Sequence, residues 1–356
     1  MILFNLSYPY IFIKMTFLKN LIMDNNNLNN LKKINDIKTL IQFIKRYYPD
    51  LEFKNLSIVE IEIAITNYYI KLIGNIMYYS PDKMMLFLRD YLLIYEIMNV
   101  KRIIFRSLAG VRDGNKKTHI NFLVENYLGN TGFIEGLLEK SSLEEIQLYI
   151  NEKRSLYNSA IREGFQHFIR KKEIFVLETF LDQVYYQVMI NNKNFYMNNE
   201  KNPLISLFID YKAEIYNLNI IFRGILNGID RKLLSQFLVN NYLFFNYDKF
   251  MDLLYQENID DFLISINKYL RRIRHFGTFF TPITINKNNL MNLIEKVYDN
   301  YFLKKSRIII EDIDNMAINR ILNFLIKKEK EIKDEILPNI VRIVHNNYSI
   351  LQQQIK

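Results

Sequence analysis

Side chains able to do chemistry are few and scattered in this chain. The four histidines, His119, His167, His275 and His345, stand far apart. None has the His-x-x-x-His or His-Glu-x-x-His spacing that turns two imidazoles toward one metal. Each reads as a surface or packing residue. There is no cysteine, which excludes a thiolate zinc site, a cysteine nucleophile and a disulfide framework. Gly110-Val-Arg-Asp-Gly-Asn-Lys-Lys-Thr118 ends in the Lys-Thr pair of a phosphate-binding loop, but its glycines are one residue too close and it follows a helical stripe, not a strand. It reads as a helix C-terminus and the loop beyond it. Glu311-Asp-Ile-Asp314 offers paired carboxylates; just before an apolar helical stripe these serve as an N-cap and dipole partner. No catalytic, cofactor-binding or metal-binding residue is assigned, and the chain reads as non-enzymatic.

The densest basic cluster is Lys268, Arg271, Arg272 and Arg274, ending at His275. It reads first as a solvated helix face, then as a contact for a partner or lipid headgroups, and last as a nucleic-acid site. The net charge is +9 from 47 Lys and Arg against 38 Asp and Glu, a modest excess spread along the chain. Asn, Ile, Lys and Tyr are all abundant, so much of that charge is compositional bias. The apolar N-terminus is interrupted by Asn5, Pro9, Lys14, Lys19 and Asn20, which argues against a spanning helix, and its lysines follow the apolar start, which argues against a signal peptide. The expectation is a soluble or peripheral protein. Asp24 to Asn30 reads as a low-complexity loop.

Groups this dispersed must be carried by long elements, and the periodicity says which. Leu218, Ile221, Phe222, Ile225 and Leu226 form one helical stripe; Ile97, Val100, Ile103, Ile104 and Leu108 form a second; Ile318, Ile321, Leu322, Leu325 and Ile326 form a third. A charged run from Lys327 to Lys333 follows the third. Clean alternation is scarce, and ten Gly and six Pro in 356 residues are too few for the turns of a large sandwich or barrel. The fold class is all-α.

The chain also repeats itself. Phe122-Leu-Val-Glu-Asn-Tyr-Leu128 returns as Phe237-Leu-Val-Asn-Asn-Tyr-Leu243, at an offset of 115, and Phe133 to Leu138 is echoed from Phe250 to Leu254. An aliphatic residue stands four places before Tyr69, Tyr185 and Tyr298, at offsets of 116 and 113. Glu96 and Asn99 lead to Arg106; Glu214 and Asn217 lead to Arg223; Glu331 and Asp334 form a degenerate third copy. Three homologous helical units follow, over 1–115 (with a low-complexity start at 1–30), 116–232 and 233–356. In each, the Glu is expected near an exposed edge and the Asn beside the apolar stripe, for packing or hydrogen bonding.

At these markers the sequence resembles the C subunit of the V/A-type ATPases (ATP synthases), which is similar to the vacuolar d subunit. Asn217-Leu-Asn-Ile-Ile-Phe-Arg-Gly224 resembles its Asn-Leu-Lys-x-Ile-x-Arg-Gly segment, and Ala64-Ile-Thr-Asn-Tyr-Tyr69 its Ala-Leu-Asp-x-Tyr-Tyr segment. Tyr8-Pro-Tyr10 with Lys14 and Leu18 resembles the opening helix. The likeness spans roughly residues 35 to 345. It departs in three places: Arg106 falls one place late, with Phe105 at the expected position; Pro338 interrupts the third copy, where it should kink or end the helix; and the N-terminal helix is poorly preserved.

The resemblance implies three helical lobes about a pseudo-threefold axis, forming a funnel. It implies a non-catalytic central-stalk component that joins the membrane proteolipid c/K ring to subunits D and F. Such a component transmits torque during proton or sodium transport, as a peripheral protein at the cytoplasmic face, binding no nucleic acid. The alternative is a helical-repeat scaffold for nucleic acid or a partner protein, against which the period near 117 argues.

Overall fold

The computed structural model describes residues 7–52, 57–110, 120–196, 203–272 and 290–354. Every regular element among them is helical, and no strand occurs. The chain divides into two compact units: Met1–Tyr149 with Met316–Lys356, and Ile150–Asn315.

The first unit opens with α1 (Tyr8–Leu18). Pro9 lies in its first turn, where a missing N–H costs nothing. A residue that breaks an apolar run thus starts a short helix. No helix among the described residues is long and apolar enough to cross a membrane. The asparagine-rich stretch is a helix, against expectation. Asp24 accepts from the Asn27 N–H at 2.8 Å and caps α2 (Asn25–Lys33). The cap and the fully buried Leu31 outweigh the poor helix propensity of Asn. Asp36 caps α3 (Ile37–Ile44) in the same way through Thr39. Ser57 starts α4 (Ile58–Tyr78), which packs along α5 (Asp82–Leu108). Two short helices, α6 (Leu123–Leu128) and α7 (Phe133–Leu138), close on α5, and α8 (Leu143–Lys153) follows. The stripe on α5 is buried at Ile97, Val100, Ile103 and Ile104.

The second unit runs through α9 (Asn158–Lys171), α10 (Ile174–Asn191), α11 (Lys193–Tyr196), α12 (Pro203–Leu226), α13 (Arg231–Phe237), α14 (Tyr247–Leu254), α15 (Ile259–Arg271) and α16 (Leu290–Ile308). Its hub is α12, which touches α10, α11, α13, α14, α15 and α16. Leu218, Ile221 and Phe222 are buried as their spacing predicts, while Leu226, at the frayed end, is half exposed. Gly228 follows in the left-handed conformation (φ 63°), the usual place for glycine beyond a helix C-terminus.

The chain returns to the first unit through α17 (Ile313–Lys330), capped by Asp312, which accepts from the Asn315 N–H at 2.8 Å. Residues 331–336 are π-helical and lead directly into α18 (Leu337–Gln354). Pro338 therefore does not end the helix. Its ring would meet the carbonyl four residues back in an α-helix. The wider π turn just before it takes up that clash, with the Leu337 N–H bonding to the Ile332 carbonyl five residues back.

Gly224 lets α13 approach α12, because a Cβ at this position would run into the buried Leu234 side chain. Alanine normally improves a helix by about 1 kcal/mol over glycine, whereas overpacking costs about 1–3 kcal/mol. Gly224→Ala should therefore destabilise the second unit by up to about 2 kcal/mol in urea unfolding; a stabilised variant would show the contact is slack.

Candidate functional site

The repeated polar residues are buried, and each secures a segment that lacks regular structure. Asn99 on α5 and Asn217 on α12 are both fully buried. The Asn99 amide donates to the Asn121 carbonyl at 2.8 Å, and its Oδ1 accepts from the Asn121 N–H at 3.0 Å. Asn217 does the same to Val239, both bonds at 2.9 Å. Each clamp reaches 22 residues along the chain. A carboxamide both donates and accepts, so one side chain pairs both backbone groups of the residue it holds. Asp334, at the Asn position of the third copy, is exposed instead.

The clamps also correct a register. Asn99 holds the residue just before Phe122, whereas Asn217 holds the residue two after Phe237. The two near-identical heptapeptides are therefore not structural equivalents. The first forms α6, while the second ends α13 at Phe237 and continues without regular structure. In the first, Glu125 accepts from the Ile134 N–H at 2.5 Å and the Gly132 N–H at 3.3 Å at the start of α7, and burial raises its carboxyl pKa.

The three glutamates are not at an exposed edge. Glu96 and Glu214 are fully buried, and Glu331 nearly so. Glu96 accepts from the Asn130 amide. Glu214 accepts from the N–H groups of Leu243 at 2.6 Å, Phe244 at 2.9 Å and Phe245 at 3.1 Å, and from the Tyr298 hydroxyl at 2.6 Å. Burial pushes its pKa up to about 7, against the pull of those four donors. Glu331 accepts from the Met23 N–H at 2.7 Å, the Tyr48 hydroxyl at 2.9 Å and the Lys328 ammonium at 2.6 Å. Met23 and Tyr48 belong to the N-terminal segment, about three hundred residues away in the chain.

Lys328 lies inside the charged run read as following the third stripe, yet it is fully buried. Its ammonium also donates to the Leu21 carbonyl at 2.6 Å and sits 3.7 Å from the centre of the Tyr48 ring. Burial lowers its pKa to about 8, with Glu331 opposing. Burial and the neighbouring Glu331 hold the Tyr48 hydroxyl well above its ordinary value.

The three marker tyrosines are buried and serve different partners. Tyr298 bonds to Glu214. The Tyr69 hydroxyl donates to the Leu325 carbonyl at 3.1 Å and lies 3.2 Å from the Tyr91 hydroxyl. The Tyr185 ring packs edge-on to Tyr186.

Arg223 pairs with Glu178 of α10 at 2.7 Å and lies over the Phe175 ring. In the first copy the corresponding pair is Arg102 with Glu62 of α4 at 2.9 Å. The arginine expected at Arg106 is thus replaced in this role by one a helical turn earlier. Glu62 and Glu178 share the Tyr69–Tyr185 offset of 116, a signal present in the sequence and missed.

Lys268, Arg271 and Arg272 are exposed at the end of α15, where cations complement the helix dipole; Arg274 lies outside the described residues. His167 lies 2.6 Å from Glu173 and His345 is exposed, while His119, His275 and most of the 110–118 loop lie outside the described residues. Among the described residues no group of three metal-ligating side chains assembles.

The family model described as ATP synthase (C/AC39) subunit matches residues 14–343 of this chain. The C subunit of the A-type ATP synthase of Methanocaldococcus jannaschii is 20% identical to it over 341 residues, covering 92% of this chain and 80% of that protein. The family match takes in all three glutamates, both clamping asparagines and the N-terminal residues that satisfy Glu331.

Two expectations follow. Asn217→Ala leaves the N–H and C=O of Val239 unpaired and should destabilise the second unit by about 2–4 kcal/mol, whereas an exposed control, Asn227→Ala, should change little. Glu214 holds its proton more tightly folded than unfolded. Its stabilisation is therefore full below pH 4.5 and is lost as pH rises through about 7, a change of about 3 kcal/mol. In urea melts from pH 4 to 8, the deficit of Glu214→Gln relative to wild type should shrink as pH rises; a constant deficit would refute the raised pKa.

Proposed function

Because the chain belongs to the ATP synthase (C/AC39) subunit family, whose members are structural rather than catalytic, we propose that it is the central-stalk adaptor of a rotary A/V-type ATPase. In this reading one end seats on the proteolipid c/K ring and the other receives subunits D and F. The protein passes torque between them at the cytoplasmic face of the membrane during proton or sodium transport. Three homologous lobes over 1–115, 116–232 and 233–356, set about a pseudo-threefold axis as a funnel, would supply the socket.

The observation that carries the proposal is the coordination of Glu331. Its buried carboxylate is paired by Met23 and Tyr48 of the N-terminal segment, which ties the last helices of the chain to the first. A buried tie between segments about three hundred residues apart in the chain suits a stiff body that must rotate as one piece. The exposed Lys268, Arg271 and Arg272 would then serve as contacts for an acidic partner or lipid surface.

The chain, tagged and recovered from native membranes, should bring with it the large nucleotide-binding ATPase subunits, subunits D and F, and the proteolipid. Recovery without any of them would sink the adaptor reading.

A further inference from the structure

The first unit contains a cleft of about 240 Å³ between the N-terminal segment and α17. Thr16 and Lys19 line it on one side, and Arg320 and Lys327 on the other, over an apolar floor that includes Met15 and Phe324. Three cations and no carboxylate line it. Arg320 is fixed before any ligand arrives: its Nη1 donates to the Phe12 carbonyl at 3.2 Å and to the Thr16 hydroxyl, and its guanidinium lies 3.5 Å from the centre of the Phe12 ring. Nε and Nη2 make neither of those two bonds, and a planar fork of this kind suits a phosphate. The volume is below the roughly 300–1,000 Å³ of sites for drug-sized ligands, which argues against a whole nucleotide.

The same helix exposes an apolar row. Tyr10, Ile13 and Phe17 are 49%, 60% and 70% exposed, at i, i+3 and i+7 of α1. The Tyr10 ring lies 5.8 Å from Tyr79, and the neighbouring Tyr78 is exposed as well. Thr16 both lines the cleft and stands one turn after Ile13, so the cationic cleft and the apolar row adjoin on one short helix. A free inorganic phosphate has no use for such a row. A phospholipid surface does, since aromatic and aliphatic side chains settle at the headgroup–acyl boundary while cations meet the phosphates.

We propose that this cleft binds the phosphate of an anionic phospholipid while Tyr10, Ile13 and Phe17 insert beside it, so that α1 lies against the membrane surface. The proposal draws on the adaptor reading only for the nearness of a membrane. It names a contact made by the chain itself, with lipid rather than with another protein.

Flotation of the purified full chain with vesicles of phosphatidylcholine, alone or mixed with phosphatidylglycerol, tests it without any other ATPase component. Binding is expected to the mixed vesicles and to weaken with added salt. Each cation removed should weaken it about fivefold, so Lys19→Gln with Lys327→Gln should lose roughly twenty-five-fold. Both side chains are exposed, and unchanged circular dichroism will show that the fold survives. Ile13→Ser with Phe17→Ser should weaken vesicle binding through the apolar row alone. Equal binding to both vesicle types, or wild-type behaviour of both double variants, would overturn the proposal. So would binding of inorganic phosphate without vesicle binding, which would make the cleft a small-anion site. Co-purification with the ATPase alongside failed flotation would leave the adaptor reading standing and remove the lipid contact.

Discussion

A carboxylate in the middle of a packed helix is the constraint on which the rest of this protein depends. Glu96, Glu214 and Glu331 each sit where water cannot reach. An unpaired charge there would cost several kcal/mol, so the surrounding chain must bring donors to it. Around Glu214 the donors are three consecutive backbone N–H groups and one tyrosine, which together fix a stretch with no regular structure of its own. The carboxylate is less a source of stability than a specification. It leaves one arrangement of residues 243–245 satisfied and makes sliding them along α12 expensive.

The asparagine clamps apply the same logic with a neutral group. A loop held at one residue through both its N–H and its C=O cannot rotate about that contact, and it is held to the long helix one turn from the buried glutamate. Where α5 and α12 carry both residues, the long helix and the segment after it move together. Stiffness of this kind is what the proposed adaptor role would require. It explains how a structural subunit can still depend on a few buried polar atoms. Beside Glu331 there is no such clamp among the described residues: Asp334 faces solvent from a π-helical turn, and the segment held there is the N-terminal one, through Leu21, Met23 and Tyr48.

Much of this was legible in the residues. The three stripes are buried almost as their spacing predicts, and Asn99 and Asn217 make the same backbone clamp 22 residues along the chain. Their partners were not legible, because they lie in irregular segments with no period to follow. The heptapeptide match misled for the same reason: six identical residues carry little register information when one copy is helical and the other is not. Asp24 to Asn30 looked like a loop because local propensity was weighed without the burial of Leu31. Lys328 looked solvated because its charged neighbours are, and only contact with Leu21 and Tyr48 puts it inside.

The arginine that departs from the family pattern shows why such a scaffold tolerates drift. Glu62 on α4 and Glu178 on α10 are equivalent, and each needs a cation from the last turns of the next long helix. Arg223 supplies it in one unit. In the other, Arg102 supplies it from about one helical turn nearer the N-terminus. Residues one turn apart share a helix face, and a long flexible side chain spans the difference. A catalytic group displaced by one turn would miss its substrate, whereas an ion pair that only ties two helices together survives the change. The pairing is therefore present in both units while the position of the arginine differs.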